Sequence, residues 1–586
     1  MSNSSQIFLV SRNQTRIFHN PFEIVSVGTV EDVLPALDRI ELAVSRGSYV
    51  AGFISYEAAP AFDEALKAHS PGSLPLLWFG LFESMETTEN PPLPHEAFSV
   101  GRWNALVSRD DYLAAVQRIQ RFIAAGDTYQ VNYTFPMRSS FSGNPLNWFR
   151  QLCDSQEADH CAFVDTGRFQ ILSASPELFF RLDGDLLEAR PMKGTRPRGR
   201  WHGEDQHIAA ELAAAGKDRA ENVMIVDLLR NDMGRCSETG SVEVRSLFDV
   251  ERYGTVWQMT SAIISRTRAP LRTIFEEMFP SGSVTGAPKV RAMEIIRELE
   301  PHPRGVYCGS IGWLGPDRRA EFNVAIRTVC IDSSQGVAEY NVGGGITSGS
   351  SPDDEYRECC TKASLLTHFR PEFELLETFL FDGQYYLLSE HLRRLAASAG
   401  YFGFALDLHQ IRLALDEKAA RFHSDIVDLK NEPLKIRLLL ARDGSFRLEF
   451  EPMRELARVK LGFAREPVNS NEAFLYHKTT YRDVYQKAKR LRPDCDDVLL
   501  WNERGEITET TIANIVLQIN GEWLTPAVDS GLLAGTMREH LLRSGQIRES
   551  RLYKSDVARA ASIRLINSVR KWMDVDFVTE TSSSLP

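Results

Sequence analysis

The chain is short of cysteine, of basic charge and of long apolar runs, and each shortage excludes something. Its 586 residues include 8 cysteines. None belongs to a C-x-x-C pair, and the adjacent Cys359 and Cys360 fall on a stretch expected to be helical, where a bridge between neighbours would be strained. A disulfide-stapled scaffold is excluded, and reduced thiols in a cytoplasmic setting are the simplest expectation. Lysine and arginine number 67 against 79 aspartates and glutamates, a net charge of −12. Binding a phosphate backbone needs concentrated positive surface, so no nucleic-acid partner is expected. An anionic substrate would need a metal or a local cation cluster to offset the acidic bulk. No run reaches the roughly eighteen apolar residues of a membrane span. Met1–Thr15 is polar and lacks the basic-then-apolar pattern of a secretion signal. Repeats and low-complexity tracts are absent as well.

What is present reads as globular protein, with 43% hydrophobic and 25% charged residues. The length exceeds one hydrophobic core and predicts about two to four domains. Residues 85–97, with Pro91, Pro92 and Pro94, read as a surface loop. Ser108 and Asp111 open a helix that carries Leu113, Val116, Ile119, Phe122 and Ile123 at helical spacing and stops at Gly126. A second helix follows Gly286 with Pro288 in its first turn, and a third starts at Ser351 and runs to about Thr367. Near Pro371 the pattern changes without a Gly/Ser linker, giving domains 1–370 and 371–586. Residues 374–388 read as a hairpin around Asp382-Gly383, followed by a helix over 391–400.

Lys193 stands in Pro191-Met-Lys-Gly-Thr195, after a strand-like stretch from Leu186 to Ala189. A lone lysine is usually a solvated surface charge. Here it is wedged between Pro191 and Gly194, where the backbone can turn tightly against a ligand. Other stretches carry more polar and glycine signal than packing requires: Ser175-Pro176-Glu177, the run Glu221 to Asp232, Ser283 to Lys289, Ala325 to Thr328, and the triplet Gly343, Gly344, Gly345. Glu355, Glu358 and Lys362 lie at i, i+3 and i+7, on one helix face. This is a surface salt-bridge stripe or a magnesium site, since Mg²⁺ takes a few hard carboxylate ligands and keeps its waters. Glu221 could add a carboxylate from another helix. The glycines let backbone N–H groups approach an anion, and Arg327 suits a bidentate carboxylate.

Together these motifs resemble the chorismate-utilising family that includes anthranilate synthase component I and aminodeoxychorismate synthase component I. The resemblance covers nearly all of the first half. It implies an α+β fold of antiparallel sheets flanked by helices, with the active site between them and chorismate as substrate. Carried over by position, Glu221, Glu355 and Glu358 bind Mg²⁺. Gly343, Gly344, Gly345, Arg327, Thr285 and Lys362 receive the substrate's carboxylates, Gln130 and Gln258 join the substrate pocket, and Glu177 joins Lys193 as a catalytic residue. Family members that aminate the second ring carbon typically have alanine at position 193. With lysine, the side chain attacks that carbon, the hydroxyl leaves the fourth carbon, and ammonia enters there, which requires a neutral amine. Gln130 stands where water-adding relatives use a lysine base, so that branch is disfavoured. Gln258 replaces a family histidine and cannot donate a proton as a general acid.

In the second half, Lys478 lies in Phe474 to Tyr481, Glu509 in Gly505 to Asn514, and a helix opens at Gly535-Thr-Met-Arg538. A lysine for a Schiff base, a carboxylate for a pyridine nitrogen and a helix start for a phosphate make a coherent pyridoxal phosphate site. The order resembles fold-type IV pyridoxal phosphate enzymes, which include branched-chain aminotransferases and aminodeoxychorismate lyase. That resemblance implies a phosphate held by Arg394, Thr536, Met537 and Ser568, with a homodimer through this domain compatible with it. The family usually begins with a further strand and loop before the segment matching Glu374 to Thr378, for which this chain shows no counterpart. The joint expectation is amination of chorismate at ring carbon 4, then loss of pyruvate to give 4-aminobenzoate. No glutaminase half is visible, so ammonia would come from a separate glutamine amidotransferase subunit. Two alternatives stay open: anthranilate synthase-like chemistry beside an aminotransferase, and a second half that binds without catalysing.

Overall fold

The computed structural model describes residues 5–11, 14–89, 96–367, 370–424, 433–454 and 458–578, with side chains at 421–424 left aside. The loop expected at 85–97 therefore lies partly outside the described residues. Within it the strand Glu86–Thr88 is present.

The chain forms two compact units. The first comprises 1–197 and 209–370; the second comprises 198–208 and 371–586.

Among its described residues the first unit holds one eleven-stranded and one ten-stranded sheet. Alternation along the strands builds three layers of core. Ile7, Phe53, Trp78, Val164, Ile171 and Trp313 fill the space between the two sheets. Their neighbours Phe8, Phe163 and Leu172 point outward against the helices Arg109–Ala124, Pro145–Gln156 and Lys289–Leu299. Ile54, Leu77 and Phe79 point the other way, toward Val33–Ser45, Gly216–Cys236 and Leu271–Met278. The expected helix-flanked antiparallel sheets are present. The helix starts were legible too, since Ser108 Oγ accepts from the Asp111 N–H.

In the second unit, Leu375–Phe381, Leu434–Leu440 and Phe446–Pro452 form a three-stranded antiparallel sheet. One face, with Leu375, Phe379, Ile436 and Leu438, packs on the helix Leu388–Phe402. The other carries Leu376, Thr378, Lys435 and Arg437 into a cavity. An eight-stranded mixed sheet completes the unit. The expected hairpin at 374–388 is corrected. Its return arm shrinks to one bridge, Phe381 to Tyr385, and the strand's true partner is Leu434–Leu440.

Residues 198–208 supply this unit with packing of their own. Arg198 donates from Nε and Nη2 to Asp205 at 2.7 Å each, and from Nη2 to the Tyr401 carbonyl at 2.8 Å. The Tyr401 hydroxyl donates back to the Gly199 carbonyl at 2.7 Å. Trp201 lies on the Tyr476 ring at 5.1 Å.

Candidate functional sites

The first unit contains a chamber of about 520 Å³. Lys193 enters it from the strand Met192–Pro197, whose pairing with Val256–Arg266 slips between Met192 and Thr195. Gly194, at φ +97°, absorbs that bulge. The Lys193 side chain is 16% exposed, with its Nζ 3.9 Å from Glu221 Oε2. A Cβ on Gly345 would collide with this ammonium, so glycine there lets the amine lie against the backbone.

Gln258 lines the chamber, yet both ends of its amide are in use. Its Oε1 accepts from Thr195 Oγ1 at 2.9 Å and its Nε2 donates to the Gly194 carbonyl at 3.0 Å. It stitches the bulge that aims Lys193.

Glu177 is buried, and Ser283 Oγ donates to its Oε1 at 2.6 Å. Burial pushes its pKa up to about 7, against the opposing pull of the Ser283 hydrogen bond and Lys193.

Glu355 and Glu358 reach the chamber from the helix Pro352–Ala363. Glu355 accepts from Ser350 Oγ at 2.7 Å, and its pKa is raised by burial and by Glu358. Glu358 is paired with Lys362 at 2.7 Å, which lowers its pKa. Lys362 also donates to the Gly343 carbonyl at 2.8 Å. Arg327, in the left-handed region at φ +53°, lines the same space and donates to Gln156 at 3.1 Å.

Gln130 is fully buried beside Gly345 and Lys193, and among the described residues neither of its amide atoms has a hydrogen-bond partner. Thr285 stands apart from the chamber lining. Its hydroxyl donates to the Ser281 carbonyl at 3.1 Å, so its side chain is spent on the local turn. Asn132, Ser283, Tyr307 and Asn341 line the chamber without having been singled out. Only Ser283 lay in a noted motif.

Whether Mg²⁺ fits can be read from the carboxylates. Glu221, Glu355 and Glu358 face one chamber, but among the described residues no three His, Cys, Asp or Glu side chains converge enough to hold a metal. Lysines already neutralise Glu358 and approach Glu221.

The second unit contains a cavity of about 320 Å³. Lys478 enters it half-buried, its pKa lowered to about 8 by removal from water and by Arg394 and Arg482. Glu509 is held by Tyr485 Oη at 2.8 Å, the Leu533 N–H at 3.0 Å and Asn514 Nδ2 at 3.3 Å. Burial raises its pKa to about 7.

The helix Thr536–Arg543 starts at the cavity with Gly535 as its N-cap and no side-chain cap, leaving its first N–H groups for a ligand. Arg394 grips Glu377 with Nε at 2.9 Å and Nη2 at 2.7 Å. His391 joins Glu377 at 2.6 Å and Thr536 Oγ1 at 3.1 Å. Ser568 lines the cavity and donates to the Thr378 carbonyl at 3.3 Å. Met537 keeps its amide in the first turn of that helix, while its side chain packs with Val516, Leu541 and Ile566 and does not line the cavity. Tyr485, Asn514 and the Glu377–His391 pair were missed. Nothing in their spacing marks them.

These donors fit pyridoxal phosphate. A lysine of lowered pKa, a buried carboxylate and a helix start with Arg394 beside it share one cavity.

The first unit thus sets a lysine among carboxylates and glycines in a chamber of a helix-flanked sandwich. The particular family follows: the chain matches the chorismate binding enzyme family over residues 8–368 and belongs to it. Residues 373–577 match amino-transferase class IV. Aminodeoxychorismate synthase component 1 of Bacillus subtilis is 40% identical over 286 residues, 48% of this chain and 60% of that protein. The protein of that name in Escherichia coli is 40% identical over 274 residues, 46% of this chain and 60% of that protein. Anthranilate synthase component 1 of Thermus thermophilus is 39% identical over 280 residues, 47% of this chain and 60% of that protein. The chain thus spans about 60% of the length of these relatives. Anthranilate synthase component I from Streptococcus pneumoniae shares the fold at a TM-score of 0.53 and 24% identity, over 63% of this chain and 93% of that one. No helix among the described residues is long and apolar enough to cross a membrane.

Proposed function

We propose that the chain makes 4-aminobenzoate in two steps, amination of chorismate at ring carbon 4 in the first unit and loss of pyruvate in the second. The observation that carries this reading is Lys193 in the chamber, between Glu177 and Glu221 and against Gly345. Overall identity does not separate the two aminating branches, because relatives named for each are about equally similar. Lys193 does.

The Lys193 nitrogen bonds to ring carbon 2, both conjugated ring double bonds shift along the ring from carbon 2 toward carbon 4, and the C4–O bond breaks. The hydroxyl takes a proton from Glu177 and leaves as water. Glu177, with its pKa near 7, is half-protonated at neutral pH and can donate. Ammonia then bonds to carbon 4, the two double bonds shift back, the bond from Lys193 to carbon 2 breaks to restore the amine, and the new ammonium returns a proton to Glu177. Arg327, Lys362 and the Gly343–Gly345 backbone receive the carboxylates. Mg²⁺ would be held by Glu221, Glu355 and Glu358 only together with a substrate carboxylate, neutralising charge there. The ammonia comes from a separate glutamine amidotransferase subunit, in keeping with the "component 1" in the relatives' names.

In the second unit, bound pyridoxal phosphate supplies an electron sink for release of the enolpyruvyl group. Lys478 anchors it and afterwards shuttles the proton, a role suited to an amine whose pKa lies near 8. Glu509 would pair with the ring nitrogen, and Arg394, Thr536 and Ser568 would hold the phosphate; all four line the cavity.

The test is purified protein with chorismate, Mg²⁺ and ammonium, with and without pyridoxal phosphate, followed by mass spectrometry. Expected is 4-amino-4-deoxychorismate without cofactor and 4-aminobenzoate with it. Formation of 2-aminobenzoate would overturn the first assignment. Unchanged 4-aminobenzoate output from Lys478→Ala would overturn the second.

A further inference from the structure

The second cavity holds more positive charge than its cofactor uses. Its wall carries Arg394, Lys435, Arg437, Lys478, Arg482 and Arg570 against a single acidic residue, Glu509. Most of these cations are already matched. Arg394 is bound to Glu377, Lys435 to Glu451 at 3.0 Å, and Arg437 to Glu449 at 2.7 Å. Arg482 donates to the Thr511 carbonyl and lies over the Tyr485 ring at 4.6 Å. Lys478 is the cofactor's anchor.

Arg570 differs. Among the described residues its guanidinium has no hydrogen-bond, ion-pair or ring partner, and its Nε is buried without an acceptor. A buried Nε–H with no acceptor forgoes a hydrogen bond, which an acceptor arriving with a ligand would supply.

The loop that presents Arg570 is fixed on both sides. It is the tip of the hairpin between Ser562–Asn567 and Lys571–Phe577. Asn567 Oδ1 accepts from the N–H groups of Val569 at 3.1 Å and Arg570 at 2.8 Å. Ser568 ties the loop to Thr378, a residue of the cavity-facing side of the three-stranded sheet. A guanidinium on such a tethered tip is set in place before binding, which limits the entropy lost on pairing.

We propose that Arg570 receives a carboxylate of the amine-bearing substrate, fitting the second cavity to anionic cyclic amines over uncharged ones. The inference rests on the pyridoxal phosphate reading of this cavity and deepens it.

The test uses the full chain loaded with pyridoxal phosphate. The absorption band of the bound cofactor is titrated with aniline, 4-aminobenzoate and 5-aminoisophthalate, which carry zero, one and two carboxylates. Wild type should bind the carboxylated amines more tightly than aniline, by roughly ten- to a hundredfold for one charge-assisted pair. Arg570→Met should flatten that preference while keeping the cofactor band, and Arg570→Lys should keep part of it. Full charge preference in Arg570→Met, or none in wild type, overturns the proposal. Because the titration needs no turnover, it is judged apart from the reaction: wild type that prefers anionic amines but releases no pyruvate from 4-amino-4-deoxychorismate would sink the lyase reading and leave the Arg570 subsite standing.

Discussion

The two cavities solve opposite electrostatic problems. In the first, carboxylates and lysines alternate around one space, with Glu358 against Lys362 and Glu221 near Lys193. In the second, cations crowd the wall and the single carboxylate, Glu509, is buried among neutral donors. The first arrangement surrounds the proposed nucleophile, Lys193, with groups that can trade protons and charge. The second leaves a fixed cradle for a phosphate and a ring. In the proposed reactions each cavity lends one reactive lysine: Lys193, set on a backbone bulge, and Lys478, whose pKa is lowered by removal from water.

The sharpest break in this comparison is Lys478→Ala. Release of 4-aminobenzoate should fall at least about a thousandfold while 4-amino-4-deoxychorismate accumulates, a separation readable by chromatography. Next is Glu177→Gln, which should slow amination by about a hundredfold or more. The pH profile gives its sign. A proton donor with a pKa of about 7 works when protonated, so wild-type amination at constant free ammonia should decline as pH rises through 7. The glutamine variant should lose that limb, and a limb that survives would reassign the donor. Gln258→Ala should cost about tenfold in amination turnover with little change in chorismate KM, since it loosens two hydrogen bonds to the lysine-bearing strand and leaves the anion contacts alone. The smallest expected effect is on stability: Trp201→Ala should lower the melting temperature of the cofactor-bearing unit, through about 1–3 kcal/mol of lost aromatic packing. Scanning calorimetry that follows the cofactor band would read it.

Much of this was legible in the sequence, for identifiable reasons. Lys193, Glu355, Glu358 and Lys362 could be placed because glycine, proline and helical spacing constrain where such side chains point. Lys478 and Glu509 could be placed because their chemistry is complementary. Thr285 and Met537 show the limit. A motif reports which residue stands at a position, not which way it faces. Thr285 turned its hydroxyl onto its own backbone, and Met537 turned its side chain into the core while its amide stayed at the helix start. The hairpin at Asp382-Gly383 failed because a good turn needs a return strand, and the helix Leu388–Phe402 had the stronger apolar face. Arg570 gave no signal, since its meaning lies in the partners it lacks.

The segment 198–208 sets how the chain can be divided. A cut between residues 370 and 371, the obvious place to separate the two activities, strips the second unit of Arg198, Gly199 and Trp201, which hold Tyr401 and Tyr476. Those residues follow Lys193 by only a few positions on the same stretch of chain. Excising them to travel with the second unit would sever the first just beyond its nucleophile. The two units are in this sense interleaved along the chain, and a single cut frees neither of them whole.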